Sequence, residues 1–95
     1  MREINVETKL IREGKSWGVW VIKSEGLLPG FPDRLLLATR GRFRLVELKR
    51  PGGEWRPAQR LVKHWLSRLG HHVYMIEHTD EVAPFYEKWL RFDNA

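Results

Sequence analysis

The chain contains no cysteine. That excludes disulfides and thiolate metal sites, and it suits a reducing cytosol. No apolar run approaches the ~20 residues a membrane span needs, so no membrane partner is expected. The opening residues Met1-Arg2-Glu3-Ile4 lack the apolar region of a signal peptide. Acidic residues are scarce in the middle of the chain. Between positions 34 and 68, ten Lys or Arg stand against two acids, Glu47 and Glu54.

What is present is enough for one domain. Ninety-five residues can bury a single core, and a 42% apolar fraction with five Trp argues against disorder. The net charge is +5. A clustered basic surface is the footprint of a polyanion binder, although solvated basic faces are also common in small proteins.

The periodicity predicts a helix from about Glu3 to Glu13, with Ile4, Glu7, Leu10 and Ile11 on one face and Gly14 as its stop. Glu7 thus sits inside an apolar stripe, either at its edge or pointing at something positive. Glu3 rivals it one turn earlier. Trp17 to Lys23 reads as a strand, followed by a loop over 24–31. Leu35-Leu36-Leu37-Ala38 is a short apolar run that fits a strand buried on both faces, beginning at Asp33. Thr39-Arg40-Gly41-Arg42 reads as a hairpin turn and Phe43 to Lys49 as the partner strand. Pro51-Gly52-Gly53 breaks it. A helix runs from Pro57 to about Leu69, with Ala58, Leu61, Val62, Trp65 and Leu69 as its buried stripe and Gly70 as its C-terminal cap. A short strand from His72 to Glu77 follows. A last helix starts near Ala83, capped by Thr79 or Asp80, with Val82, Phe85, Tyr86 and Trp89 inward. The order αβββαβα predicts a mixed four-stranded α/β sheet flanked by helices. Its third and fourth strands would be parallel if they are neighbours.

Two acids in neighbouring buried strands need a reason. An antiparallel hairpin brings Asp33 beside the Glu47–Lys49 end of its partner, and alternation puts Glu47 and Lys49 on one face. Phosphodiester hydrolysis needs an activated water, neutralised phosphoryl charge and a stabilised leaving oxyanion. A Mg²⁺ held by carboxylates serves all three. Asp33 and Glu47 are the expected ligands. The backbone carbonyl of Leu48 can add a third oxygen, and Glu7 can ligate directly or through water. Lys49 would orient the water or stabilise the transition state. Glu-x-Lys alone is frequent by chance. The ordered set is less so: Pro-Asp opening a strand, a hairpin, Glu-x-Lys, then a helix bearing Gln59.

That set resembles the PD-(D/E)xK nuclease superfamily and, within it, the VRR-NUC (virus-type replication-repair nuclease) family. The resemblance lies in Val6-Glu7, Lys23, Gly30-Phe31-Pro32-Asp33-Arg34, Val46-Glu47-Leu48-Lys49-Arg50-Pro51-Gly52-Gly53, Pro57-x-Gln59 and Leu69-Gly70. It implies a restriction-endonuclease-like core and Mg²⁺- or Mn²⁺-dependent cleavage of DNA. It also implies the roles given above for Glu7, Asp33, Glu47 and Lys49, with Gln59 as a helper. Small free-standing members are phage- or bacteria-associated and similar to Holliday-junction resolvases. They imply a homodimer acting on branched DNA in the cytoplasm of a bacterial cell or infected host.

Lys23, Arg34, Arg50, Arg56, Arg60 and Lys63 are the expected contacts to the nucleic-acid backbone, with Arg50 and Arg56 foremost. The four histidines do not make a zinc pattern, since His71 and His72 would point to opposite faces of a strand. Trp17, Trp20, Trp65 and Trp89 read as core or dimer interface. Trp55, in the glycine-rich loop, is expected near the site and packed on DNA.

Overall fold

The computed structural model describes residues 5–50 and 52–91. Glu3 and Ile4 of the expected first helix, and Pro51 of the expected strand break, lie outside them. Helix α1 spans Val6–Ser16, β1 Trp20–Lys23, β2 Arg34–Leu37, β3 Phe43–Leu48, α2 Pro57–Arg68, β4 Val73–Ile76 and α3 Val82–Tyr86, which continues as a π-turn over Glu87–Arg91. The sheet order is β1-β2-β3-β4. The first two pairings are antiparallel and β3–β4 is parallel, as the α2 crossover requires. The expected order and mixed sheet are therefore those observed.

The register divides the side chains between two faces. Val21, Arg34, Leu36, Val46, Tyr74 and Ile76 share one face; Trp20, Leu35, Leu37, Leu45, Glu47 and Val73 share the other. Helices α1 and α3 cover the first face. There Leu10, Val82, Tyr86 and Trp89 bury Leu36, Val46 and Ile76 in one core. Helix α2 lies on the second face. Among the described residues, no helix is long and apolar enough to cross a membrane.

Several expected boundaries and stripes move. Gly14 does not end α1; it lies inside the helix and is buried. The side chain it lacks makes room for Tyr86, whose hydroxyl donates to the Leu10 carbonyl at 2.6 Å. A Cβ on Gly14 would stand 2.6 Å from that hydroxyl oxygen. The chain turns instead at Gly18, where φ is +73°, so β1 starts at Trp20 rather than Trp17. Strand β2 is buried on one face only: Leu36 is inside while Leu37 is exposed. Helix α2 departs most from expectation. Its only buried residue is Gln59. Leu61, Trp65 and Leu69 face outward, because the helix rests on the sheet through the Gln59, Val62 and Leu66 side. Neither Thr79 nor Asp80 caps the last helix; the Glu81 carboxylate accepts the Glu77 and His78 N–H groups, both at 2.7 Å.

The packing of Gly14 against Tyr86 makes a prediction with an unusual sign. In an exposed helix interior, Gly→Ala stabilises by about 1 kcal/mol. Here Gly14→Ala should destabilise by about 1–3 kcal/mol through overpacking. Tyr86→Phe, which removes only the hydroxyl, should cost about 1 kcal/mol. In the Tyr86→Phe background, Gly14→Ala should cost less. Urea denaturation of the four proteins checks this, and an additive cycle would contradict it.

Candidate functional site

The site forms where β2 and β3 begin and end side by side. Asp33 precedes β2, and the Arg34–Val46 register sets it opposite Glu47. The two acids are knitted through each other's backbone. The Asp33 N–H donates to Glu47 Oε1 at 3.2 Å, and the Leu48 N–H donates to Asp33 Oδ2 at 2.9 Å. Leu48 therefore meets Asp33 through its N–H. Glu47 is fully buried. Burial pushes its carboxyl from 4.5 up to about 8, helped by a hydrogen bond to Asp33 and by that neighbour's negative charge, with Lys49 opposing. Its second oxygen, Oε2, is buried without a hydrogen-bond partner.

Lys49 follows on the same face as Glu47. Its Nζ donates to Gln59 Oε1 at 2.6 Å, and the same oxygen accepts the Arg56 N–H at 2.9 Å. Gln59 is thus both the first-turn anchor of α2 and the holder of the lysine. Trp55 is half-buried, with Lys49 Nζ 5.5 Å and Lys63 Nζ 4.5 Å from its ring centroid. Its ring face is engaged by two ammonium groups, which is a different placement from an open DNA-stacking platform.

The loop before Asp33 is fixed at three points. Gly30 has φ of +87°, and a Cβ there would run into the Ala58 carbonyl, so the loop backbone lies directly on the first turn of α2. Ser24 is buried; its hydroxyl donates to the Pro32 carbonyl at 2.7 Å and its N–H to the Asp33 carbonyl at 2.9 Å. Arg34 Nη1 donates to the same Asp33 carbonyl at 2.7 Å. A cleft of about 380 Å³ opens beside these residues, lined by Asp33, Gln59, Arg56, Leu28 and Ala58 among others.

Two expected site residues sit elsewhere. Alternation along the strand sends Arg34 to the α1 side of the sheet, away from the face of Asp33 and Glu47. It is only 4% exposed, and its Nη2 lies 2.7 Å from Glu7 Oε1, with Glu25 3.9 Å from Nη1. Arg34 is therefore an internal clamp and not a surface contact for phosphate. Glu7 approaches from the same side and is held by Arg34. It does not join Asp33 and Glu47, and the described residues contain no cluster of three or more metal-ligating His, Cys, Asp or Glu side chains. The other expected backbone contacts are exposed: Lys23, Arg50, Arg56, Arg60 and Lys63. Lys23 is paired with Glu25 at 3.1 Å. Ser24 and the clamp function of Arg34 escaped the sequence reading. A lone serine after a strand has no spacing signature, but the strict alternation Asp33-Arg34 already placed the arginine on the opposite face.

Paired carboxyls and a lysine sit on adjacent strand ends in a helix-flanked mixed sheet, and a structural neighbour gives the class: a nuclease-type α/β domain. One solved structure, described as a VRR_NUC domain, matches with a TM-score of 0.75 and 25% sequence identity, over 86% of this chain and 90% of that one. That match supports the VRR-NUC family for this chain, in agreement with its motifs. No family model and no curated protein matches the sequence.

The raised Glu47 carboxyl sets a pH dependence. Below about pH 4.5 the group is protonated whether the chain is folded or not. Between 4.5 and about 8 the folded state holds a proton that the unfolded state has released, so stability falls as pH rises through that window. In EDTA, the melting temperature should decline from pH 5 to pH 8. Glu47→Gln should flatten that decline and melt higher than wild type at pH 8. A slope unchanged in the variant would contradict the assignment.

Proposed function

We propose that the protein is a divalent-cation-dependent, structure-selective DNA endonuclease, resolvase-like and acting as a homodimer on branched DNA. The observation that supports it most is the pairing of buried Glu47 with Asp33 at the cleft, with Lys49 beside them. A fully buried carboxyl with an unpartnered oxygen, in contact with a second carboxyl, is costly unless a cation shares the two. The residues therefore fit a Mg²⁺ or Mn²⁺ ion, both oxygen-preferring. Asp33 and Glu47 would hold it, with the Leu48 carbonyl as a further oxygen. Such an ion supplies positive charge against the phosphoryl oxygens and makes a nearby water more acidic.

The protein's own groups do the rest. Gln59 accepts one Lys49 N–H, leaving two donors on that ammonium for a phosphoryl oxygen or the attacking water. Arg56, in the cleft, and the exposed Arg50, Arg60 and Lys63 supply phosphate contacts that place the scissile strand. Lys23, the register partner of Arg34, lies on the α1 side of the sheet and would meet phosphate only beyond the cleft. Glu7 acts at one remove: it holds Arg34, which holds the Asp33 carbonyl.

A cleavage panel tests this. Four-way, three-way, flap and linear DNA are incubated with Mg²⁺, Mn²⁺ or EDTA. Cleavage should require the cation and favour branched substrates. Asp33→Asn and Lys49→Ala should each lower the rate by at least about 100-fold with binding retained. Binding should weaken steeply with salt. Binding without cleavage of any substrate would instead make the domain a non-catalytic nucleic-acid module.

A further inference from the structure

The loop joining β1 to β2 is more tightly ordered than a plain connection requires. It runs over 24–33 and makes two reverse turns in succession. In the first, the Leu27 N–H donates to the Ser24 carbonyl at 3.3 Å, with Gly26 at φ +90°. In the second, the Phe31 N–H donates to the Leu28 carbonyl at 3.1 Å, with Pro29 and then Gly30 at φ +87° between them. Proline followed by a positive-φ glycine is the pattern of a type II turn. Leu27 closes the first turn and Leu28 opens the second. The two leucines are held outward, exposed by 70% and 46%. Neither packs in the core.

The base of this loop is fixed to the site. The Ser24 and Glu25 N–H groups both donate to the Asp33 carbonyl, at 2.9 and 3.2 Å. Gly30 lies against Ala58 of α2. The leucines therefore stand at a set place relative to Asp33. Leu28, Pro29 and Phe31 line the Asp33 cleft from the loop, and Arg56 and Gln59 line it from α2. The two sides differ in chemistry. The α2 side offers a guanidinium. Residues 25–31 hold no cation, and their one charged group, Glu25, lies 3.1 Å from Lys23 and 3.9 Å from Arg34. The loop side is thus suited to the apolar faces of bases and not to phosphates.

We propose that Leu27 and Leu28 are a wedge that enters the base stack of the substrate DNA beside the phosphate held at Asp33. The inference rests on the nuclease reading for the place of that phosphate. An inserted apolar side chain unstacks a base step. That is costly in a continuous duplex and least costly where a base is already unpaired, as at an opened branch point. The wedge thereby directs the cleft to strands whose stacking is interrupted. Leucine side chains neither donate nor accept hydrogen bonds, so the wedge reads the structure of the DNA and not its sequence.

Fluorescence of 2-aminopurine tests this, because the analogue brightens when it loses a stacking neighbour. Four-way DNA carrying it beside the branch point is saturated with protein in EDTA, so that no strand is cut. Wild type should raise the emission by at least about two-fold. Leu27→Ser/Leu28→Ser, at exposed positions, should lose the rise with an unchanged far-UV circular dichroism spectrum. Leu27→Met/Leu28→Met should keep it. In Mg²⁺, the ratio of four-way to linear cleavage should fall at least about 10-fold in the serine variant. The two readings fail separately. A fluorescence rise with no cleavage of any substrate would overturn the nuclease reading and leave the wedge standing. Cleavage of four-way DNA without a rise would overturn the wedge. So would a folded serine variant that keeps the rise or the cleavage ratio, or a wild-type chain that cuts both substrates equally.

Discussion

Glu47 and Asp33 touch through their carboxyls and through backbone N–H groups, at the open end of the β2–β3 hairpin. A fully buried glutamate beside an aspartate is held against a large desolvation cost, and the surrounding residues are arranged to bear it. Each acid accepts an N–H from the neighbouring strand. Behind the pair, Arg34 Nη1 and the Ser24 N–H both donate to the Asp33 carbonyl. In front, Gln59 positions Lys49. Each of these groups is fixed by an ordinary rule of local structure, such as strand alternation, a helix cap or a loop glycine. Together they produce an uncommon local charge.

Alternation in the strands separates the tasks. One face of the sheet is closed by α1 and α3 and supplies stability, with the Glu7–Arg34 ion pair at its margin. The other face carries the acids, the lysine and the cleft, and among the described residues α2 is the one helix on it. Arg56 lines the cleft, while Trp20, Ile22, Leu35 and Leu37 make the β1–β2 part of that face apolar.

Much of this was legible in the sequence because short-range rules dominate here. Pro57 and Gly70 bracket α2, and the turn at 39–42 closes a hairpin whose register follows directly. That register alone set Asp33 against Glu47. The misjudged positions are those where a distant contact overrides a local signal. Gly14 looks like a helix stop, but its reason is Tyr86, far along the chain. Leu61, Trp65 and Leu69 form a sound apolar stripe, yet nothing local says whether a stripe meets its own sheet or another surface. Glu7 sits in an apolar pattern that suggests the interior. Its partner proved to be Arg34, which strand parity had already turned to that side.

The central claim is that the Asp33–Glu47 pair is built to share a divalent cation. Calorimetric titration of Mn²⁺ into the metal-free protein at pH 7, repeated in buffers of different ionisation enthalpy, tests it most directly. A carboxyl whose folded value is about 8 is largely protonated at that pH, so binding should release close to one proton per ion. Glu47→Gln should abolish both the release and the tight binding. Binding without proton release, or binding that survives Glu47→Gln, would contradict the account.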